Sequence, residues 1–227
     1  MTTKQDFTGR VVMVTGANGA LGGAVVAAAL ARGARVLAVD LRFDGAPAAG
    51  ETRLVADLTD AAATATVLGG AGGFDVLCNV AGGFTMGEAA FDAGTHWEAM
   101  FRLNVETMRN ATRIAVPVMQ RQRRGAIVNV GALSAREGRG SMSAYCAAKS
   151  TVMRLTESLA QELRMDGINV NAVLPSIIDT PTNRADMPDA DFSRWVQPAD
   201  LAAAMLFLAS DDARAIHGAL LPVTGLS

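Results

Sequence analysis

Short segments rich in valine alternate with longer segments rich in alanine and leucine along most of this sequence. The short segments are predicted strands, and most are unbroken apolar runs of the kind that a parallel sheet buries on both faces. They are residues 10–14, 35–39, 53–55, 76–78, 126–130, 169–173 and 220–223. The longer segments are predicted helices near residues 21–32, 61–68, 97–120, 144–164 and 199–209. This alternation predicts an α/β fold of the Rossmann type, a doubly wound parallel sheet of about seven strands with helices on both faces.

Length and composition favour one domain over residues 1–227, because a chain of 227 residues suits a single core and no linker interrupts it. A hydrophobic fraction of 50% with 19% charged residues excludes a disordered chain. A net charge of −2 gives no general attraction to nucleic acid. No segment reaches the ~18 apolar residues of a membrane span, and the first residues do not resemble a secretion signal. We therefore expect a cytoplasmic protein with no nucleic-acid or membrane partner.

A glycine-rich turn, T-G-A-N-G-A-L-G at residues 15–22, stands between the first strand and the first helix. Glycines let a backbone turn sharply and approach a pyrophosphate, and the helix N-terminus supplies N–H groups and positive potential. Ligands of such sheets bind beyond the carboxyl ends of the strands, where this turn lies. The turn predicts a dinucleotide site with contacts from Gly16, Asn18, Gly19, Ala20, Leu21 and Gly22.

The acidic residue at the end of the second strand bears on the choice of dinucleotide. Asp40 lies eighteen residues after Gly22, where a carboxylate accepts hydrogen bonds from ribose hydroxyls and repels a 2′-phosphate. NAD(H) is therefore the favoured cofactor. Arg42 is able to pair with a phosphate instead, so NADP(H) stays possible.

Tyr145 and Lys149 are spaced i and i+4 near the start of a predicted helix, so they share one face. Tyr145 is the only tyrosine in the sequence. A free phenol has a pKa near ~10, and a neighbouring ammonium lowers that pKa by favouring the phenolate. The pair predicts a proton donor, Tyr145, tuned by Lys149.

These motifs, in this order, resemble the short-chain dehydrogenase/reductase family over almost the whole chain. Further matches are Asp57-Leu58, the tetrapeptide 79–82 and the segment 175–180. The resemblance implies cofactor contacts from Asp57, Leu58, Asn79, Ala81, Gly82, Pro175, Ile178 and Thr180, and from Tyr145 and Lys149 at the nicotinamide ribose. It also implies that Asn104 positions a catalytic water next to Lys149.

One departure from the family concerns the serine that hydrogen-bonds the substrate oxygen, thirteen residues before the tyrosine. That position is Ala132 here. Losing one oriented donor to a developing oxyanion typically costs ~2.7 to 4 kcal/mol. Three interpretations follow: a slow or inactive enzyme, a substitute hydroxyl from Ser134 or Ser143, or a substrate that needs less oxyanion stabilisation.

Within the family the sequence is most similar to quinonoid dihydropteridine reductases, which also carry alanine at that position. The similarity covers residues 19–22, 80–84, 179–184 and 187–195. A quinonoid pterin disperses the charge of an added hydride over its rings, which favours the third interpretation. Phe84 and Trp195 are candidate flat faces for such a ring, although aromatic residues at these places also serve as packing.

Two alternatives to a quinonoid reductase remain from the sequence. One is an ordinary ketone or 3-oxoacyl thioester reductase that uses a substitute hydroxyl, and the other is a catalytically weak dinucleotide-binding regulator. The resemblance also implies a homodimer or homotetramer built through the helices at 97–120 and 144–164. No metal is predicted, because neither histidine nor cysteine stands in a metal-ligand spacing.

Overall fold

The computed structural model describes residues 6–89 and 94–227, and its centre is one sheet of seven parallel strands. The strands are β1 Val11–Thr15, β2 Arg35–Asp40, β3 Glu51–Val55, β4 Val76–Asn79, β5 Gly125–Val130, β6 Ile168–Pro175 and β7 Leu220–Val223. Their order across the sheet is β3-β2-β1-β4-β5-β6-β7. The predicted doubly wound α/β fold of seven strands is confirmed, and the order reverses between β1 and β4, where such folds bind ligands.

Helices cover both faces of the sheet, and the longer ones bury apolar residues against it. They are α1 Ala20–Leu30, α2 Ala61–Gly69, α3 Thr95–Phe101, α4 Thr107–Gln122, α5 Ser143–Leu163, α6 Pro181–Asp186 and α7 Pro198–Ala209. Short 3-10 turns lie at Leu133–Arg136, Arg164–Asp166, Phe192–Arg194 and Asp211–Ala213. One core contains buried residues of α1 and α7, and a second core contains buried residues of α2, α4 and α5.

The helix predicted over residues 97–120 is interrupted by a π-helical turn at Arg102–Glu106. Within it, the N–H of Thr107 donates to the carbonyl of Arg102, five residues earlier. Such a turn inserts one extra residue into a helix and is often found at functional sites. It places Asn104 at the buried side of the helix, next to the carboxyl end of β4.

The segment between β6 and α7 holds the short helix α6, which periodicity did not predict. Thr180 caps it by accepting from the N–H of Asn183, and Pro181 occupies its first position. No helix in the described part of the chain is both long and apolar enough to cross a membrane.

Candidate active site

Two glycines of the glycine-rich turn lie where no side chain fits, so the turn packs closely against the neighbouring backbone. Gly16 has φ +64°, and a Cβ there would lie 2.8 Å from the backbone of Ala81. A Cβ on Gly22 would overlap the carbonyl oxygen of Gly16. Gly19 is the N-cap of α1 and has no side chain to cap it, so the first N–H groups of the helix point beyond its N-terminus beside the turn. These residues fit a dinucleotide pyrophosphate.

A buried hydroxyl joins this turn to the segment after β4. The Oγ1 of Thr15 accepts from the N–H groups of Val80 and Ala81, at 3.0 Å and 3.1 Å. Thr15 is 1% exposed. This role of Thr15 was not predicted, although a polar residue at the last position of a buried apolar strand is itself a signal.

Asp40 lies beside the same turn at the end of β2. Its carboxylate accepts from the N–H groups of Asn18 and Leu41, at 2.9 Å and 2.7 Å. The side chain of Asn18 donates to the carboxylate of Asp44 at 3.2 Å. Arg42 is exposed. The structure thus brings the predicted residues Asn18 and Asp40 together.

The residues after β3 and β4 divide between the surface and the interior. Asp57 is exposed, and hydrogen bonds from Thr59 lower its pKa. Leu58 is buried. The amide of Asn79 is 4% exposed and donates to Asn129 at 2.9 Å, inside the sheet. The side chain of Asn79 therefore ties β4 to β5, and a direct cofactor contact from Asn79 stays a prediction.

Tyr145 and Lys149 lie together on the first two turns of α5. The Nζ of Lys149 is 6.0 Å from the centre of the Tyr145 ring and donates to the carbonyl of Val130 at 2.8 Å. Burial lowers the pKa of Lys149 to about 8. Burial, followed by the neighbouring Cys146, raises the pKa of Tyr145 to about 12.

The expected fall in the pKa of Tyr145 is therefore wrong for this arrangement. Removal of the phenol from water disfavours the phenolate, and this is the first cause of the raised pKa. A phenol with a raised pKa keeps its proton at neutral pH, which is the state that a proton donor needs before the reaction.

Asn104 lies within the π turn, is 2% exposed, and contacts the segment after β4. Its Oδ1 accepts from the N–H of Gly83 at 3.2 Å, and its Nδ2 donates to the carbonyl of Gly83 at 2.9 Å. A Cβ on Gly82 would lie 2.7 Å from that Oδ1 and 3.5 Å from the Nζ of Lys149. The predicted residues Gly82, Asn104 and Lys149 are thus brought together, with Asn104 binding backbone.

Ala132 and the two candidate serines occupy different surroundings. Ala132 is 3% exposed and belongs to an apolar cluster against which Tyr145 packs. Ser143 lines a cleft with Cys146, Ala147 and Ser150 on another face of α5 from Tyr145. The backbone carbonyl of Ser134 accepts from the Sγ of Cys146 at 3.5 Å.

Hydrogen bonds between its own side chains hold the segment after β6 in place. Hydrogen bonds from Arg184, at 2.6 Å and 2.7 Å, and from Gln197, at 2.9 Å, lower the pKa of Asp179 to about 2. Ile178 pairs with Val196 in an isolated bridge. Pro175, Ile178 and Thr180, the predicted nicotinamide-side residues, therefore lie in one ordered stretch.

The two predicted aromatic platforms differ in exposure. The ring of Phe84 is 50% exposed and meets the ring of Tyr145 edge to face, with centres 4.9 Å apart. Trp195 is 5% exposed and packs 4.8 Å from the ring of Phe192. The expectation of an open Trp195 face is not supported, because its ring is covered by this packing.

Comparisons with known proteins agree with this geometry. Residues 10–191 match the family model described as short chain dehydrogenase. The 3-oxoacyl-(acyl-carrier-protein) reductase of Escherichia coli (strain K12) is 31% identical, over 97% of this chain and 98% of that protein.

Two solved structures share the fold over nearly the full length of both chains. A proposed NAD(P)-dependent gluconate 5-dehydrogenase from Beutenbergia cavernae, with NADP at low occupancy, has a TM-score of 0.88 and 28% identity, covering 97% of each chain. A proposed 2-deoxy-D-gluconate 3-dehydrogenase from Agrobacterium tumefaciens, with bound NADP, has a TM-score of 0.88 and 30% identity, covering 99% of this chain and 98% of that one. This chain belongs to the short-chain dehydrogenase family and is an NAD(P)-dependent oxidoreductase.

Proposed function

We propose that this protein reduces a small conjugated acceptor, a quinonoid dihydropteridine or a similar carbonyl compound, with NADH. The observation that carries the proposal is the pairing of a protonated, partly buried Tyr145 with Lys149 beside an alanine, Ala132, where the family has a hydroxyl donor. A site without that donor suits an acceptor that disperses the negative charge of the transition state.

The preference for NADH rests on Asp40. Its carboxylate lies against the glycine-rich turn, where a 2′-phosphate would meet an uncompensated negative charge. The two solved relatives carry NADP, so direct comparison of the two cofactors is part of the test. The glycine-rich turn would hold the pyrophosphate, and Lys149 would hold ribose hydroxyls. When bound, the reduced cofactor supplies the hydride.

The path of the proton follows from the positions of two side chains, Tyr145 and Lys149. The phenol of Tyr145 gives its proton to the oxygen or nitrogen of the acceptor that gains charge. The Nζ of Lys149 then stabilises the resulting phenolate, since an ammonium at this range favours a negative charge in a buried site. A proton from solvent restores Tyr145 after each turnover.

A second candidate is reduction of a 3-oxoacyl thioester or another ketone. Its support is the 31% identity to the reductase of Escherichia coli over almost all of both chains. In that case Ser134 or Ser143 would have to replace the missing donor. Ser143 lies toward another face of α5 from Tyr145, which counts against it as the substitute donor.

The compartment and the oligomeric state of the enzyme are also part of the proposal. We propose a cytoplasmic homodimer or homotetramer assembled through α4 and α5, acting on a small molecule. Light scattering of the purified chain distinguishes these assemblies from a monomer.

The function is tested by following the oxidation of NADH, and of NADPH in parallel, at saturating acceptor. The acceptors are a freshly generated quinonoid dihydropterin, a panel of ketones and a 3-oxoacyl thioester. Faster turnover of the dihydropterin supports the first candidate, and turnover of the thioester alone supports the second. Tyr145→Phe is the control, because it should abolish turnover while NADH binding is retained. If no acceptor is reduced and NADH still binds, the protein is a dinucleotide-binding regulator instead.

A further inference from the structure

Phe84 has a position that neither the dinucleotide site nor the proton transfer explains. It is a large apolar residue, 50% exposed, at the mouth of the site. Its ring meets the ring of Tyr145 at an interplanar angle of 84°, with 4.9 Å between the centres. Edge-to-face contact at this distance is a favoured arrangement of two aromatic rings, so Phe84 restricts the orientation of its neighbour.

The backbone before Phe84 is fixed by one side chain. Asn104 binds both polar backbone groups of Gly83, accepting from its N–H at 3.2 Å and donating to its carbonyl at 2.9 Å. Its Nδ2 also donates to the carbonyl of Met100 at 3.0 Å. Leu103 covers the same glycine, since a Cβ on Gly83 would lie 2.9 Å from the Cδ1 of Leu103. The π turn therefore determines where Phe84 stands.

Packing, more than hydrogen bonding, holds the phenol of Tyr145. Among residues 6–89 and 94–227, no hydrogen bond between side chains reaches its hydroxyl, and Ala132 offers a methyl group in place of one. Lys149 bonds to the carbonyl of Val130. The ring instead contacts two apolar clusters and Phe84.

We propose that Phe84 is a positioning residue for the proton donor: Asn104 fixes it through the Gly83 backbone, and its ring orients Tyr145 and shields it from water. This rests on the proposed function only in that Tyr145 gives the proton. The raised pKa of Tyr145, which is caused first by burial, agrees with such shielding. Because Tyr145 is only partly buried, loss of the Phe84 ring would widen the access of water to the phenol.

The test uses the single tyrosine of the sequence, because tyrosinate absorbance then reports Tyr145 alone. The full-length, cofactor-free protein is titrated with base, as wild type and as Phe84→Leu, and circular dichroism confirms that each is folded. We expect Phe84→Leu to ionise about one pH unit lower than the wild type, because desolvation is relieved. With NADH and acceptor, we expect kcat to fall by roughly ten- to a hundredfold through misplacement of the phenol.

Two further variants sharpen the test. Phe84→Trp keeps an aromatic ring and should restore most of kcat and the high ionisation. Met86→Leu is the matched control, because Met86 is 57% exposed on the same segment and makes no ring contact with Tyr145 in the described structure. It should behave as the wild type in both assays.

Other outcomes overturn the proposal. An unchanged titration in Phe84→Leu means that the ring does not shield Tyr145. A raised KM with unchanged kcat and titration means that Phe84 only contacts substrate. These results differ from failure of the proposed function, which would appear as full turnover in Tyr145→Phe.

Discussion

The buried ammonium of Lys149 should make the stability of this protein depend on pH in a definite direction. Its pKa is lowered from 10.5 to about 8 by burial, so between these values the unfolded chain binds more protons than the folded one. Stability contributed by Lys149 therefore rises as the pH rises through this window. Between pH 7.5 and 9.5 the expected gain is about 2 kcal/mol, from the full difference of about 3.4 kcal/mol.

Urea unfolding of the wild type and of Lys149→Met, at several pH values in this range, isolates that gain. Methionine has a similar length and no charge, and it leaves the Val130 carbonyl without its donor. Other groups also titrate in the window. Burial raises the pKa of Cys78 to about 12, which gives both proteins a loss of stability toward high pH. The difference between the two proteins removes this common contribution.

A direct measurement accompanies the unfolding curves. The sequence contains one other lysine, Lys4, so carbon-13 lysine NMR should show two side-chain signals. One should titrate near pH 8 and disappear in Lys149→Met. If the stability difference between the proteins is the same at pH 7.5 and 9.5, or if both signals titrate near ~10.4, the ammonium is solvated and the reasoning fails.

Three further predictions concern the turn, the missing donor and the segment after β6. Gly22→Ala should weaken NADH binding at least about tenfold and lower stability by about 1 to 3 kcal/mol, because its methyl overlaps the carbonyl of Gly16. Gly23→Ala, whose Cβ would meet only ordinary contacts, should instead leave NADH binding unchanged, and a fluorescence titration with NADH measures both variants. Ala132→Ser should raise ketone turnover by roughly a hundredfold and leave quinonoid turnover nearly unchanged; equal effects on both acceptors would contradict the charge-dispersal argument. Asp179→Asn should be less stable than the wild type above about pH 4. The pKa of Asp179 is lowered, so the wild type loses this advantage as the pH falls from about 4 toward 2. Acid unfolding curves that coincide would refute this.

The sheet was predictable because its strands are continuous apolar runs with turn residues between them. The positions of Gly16, Asp40 and Tyr145 followed from their places after strands and at the start of a helix. A strand or helix fixes its neighbours by a constant repeat, so spacing along the chain carries this information.

Other features depended on contacts between distant segments. The pairing of Asn104 with Gly83 spans 21 positions, and the hydrophobic pattern continues through the π turn with little change. The spacing of Tyr145 and Lys149 predicted their proximity but not the degree of burial that decides their pKa values. Trp195 was a candidate platform because the sequence shows Phe192 three residues earlier but does not show that the two rings pack together in the folded chain.

The π turn at Arg102–Glu106 also constrains which insertions and deletions this helix is able to accept. Each residue added to or removed from a helix rotates everything after it by about 100°. A one-residue deletion within the turn would restore regular α-helical geometry and would keep only one of two alignments. Either α4 would still bury Ala111, Ala115 and Met119 against the sheet, with Asn104 turned away from Gly83, or Asn104 would stay and the apolar face would turn to solvent. The extra residue thus sets the rotational phase between the active site and the core.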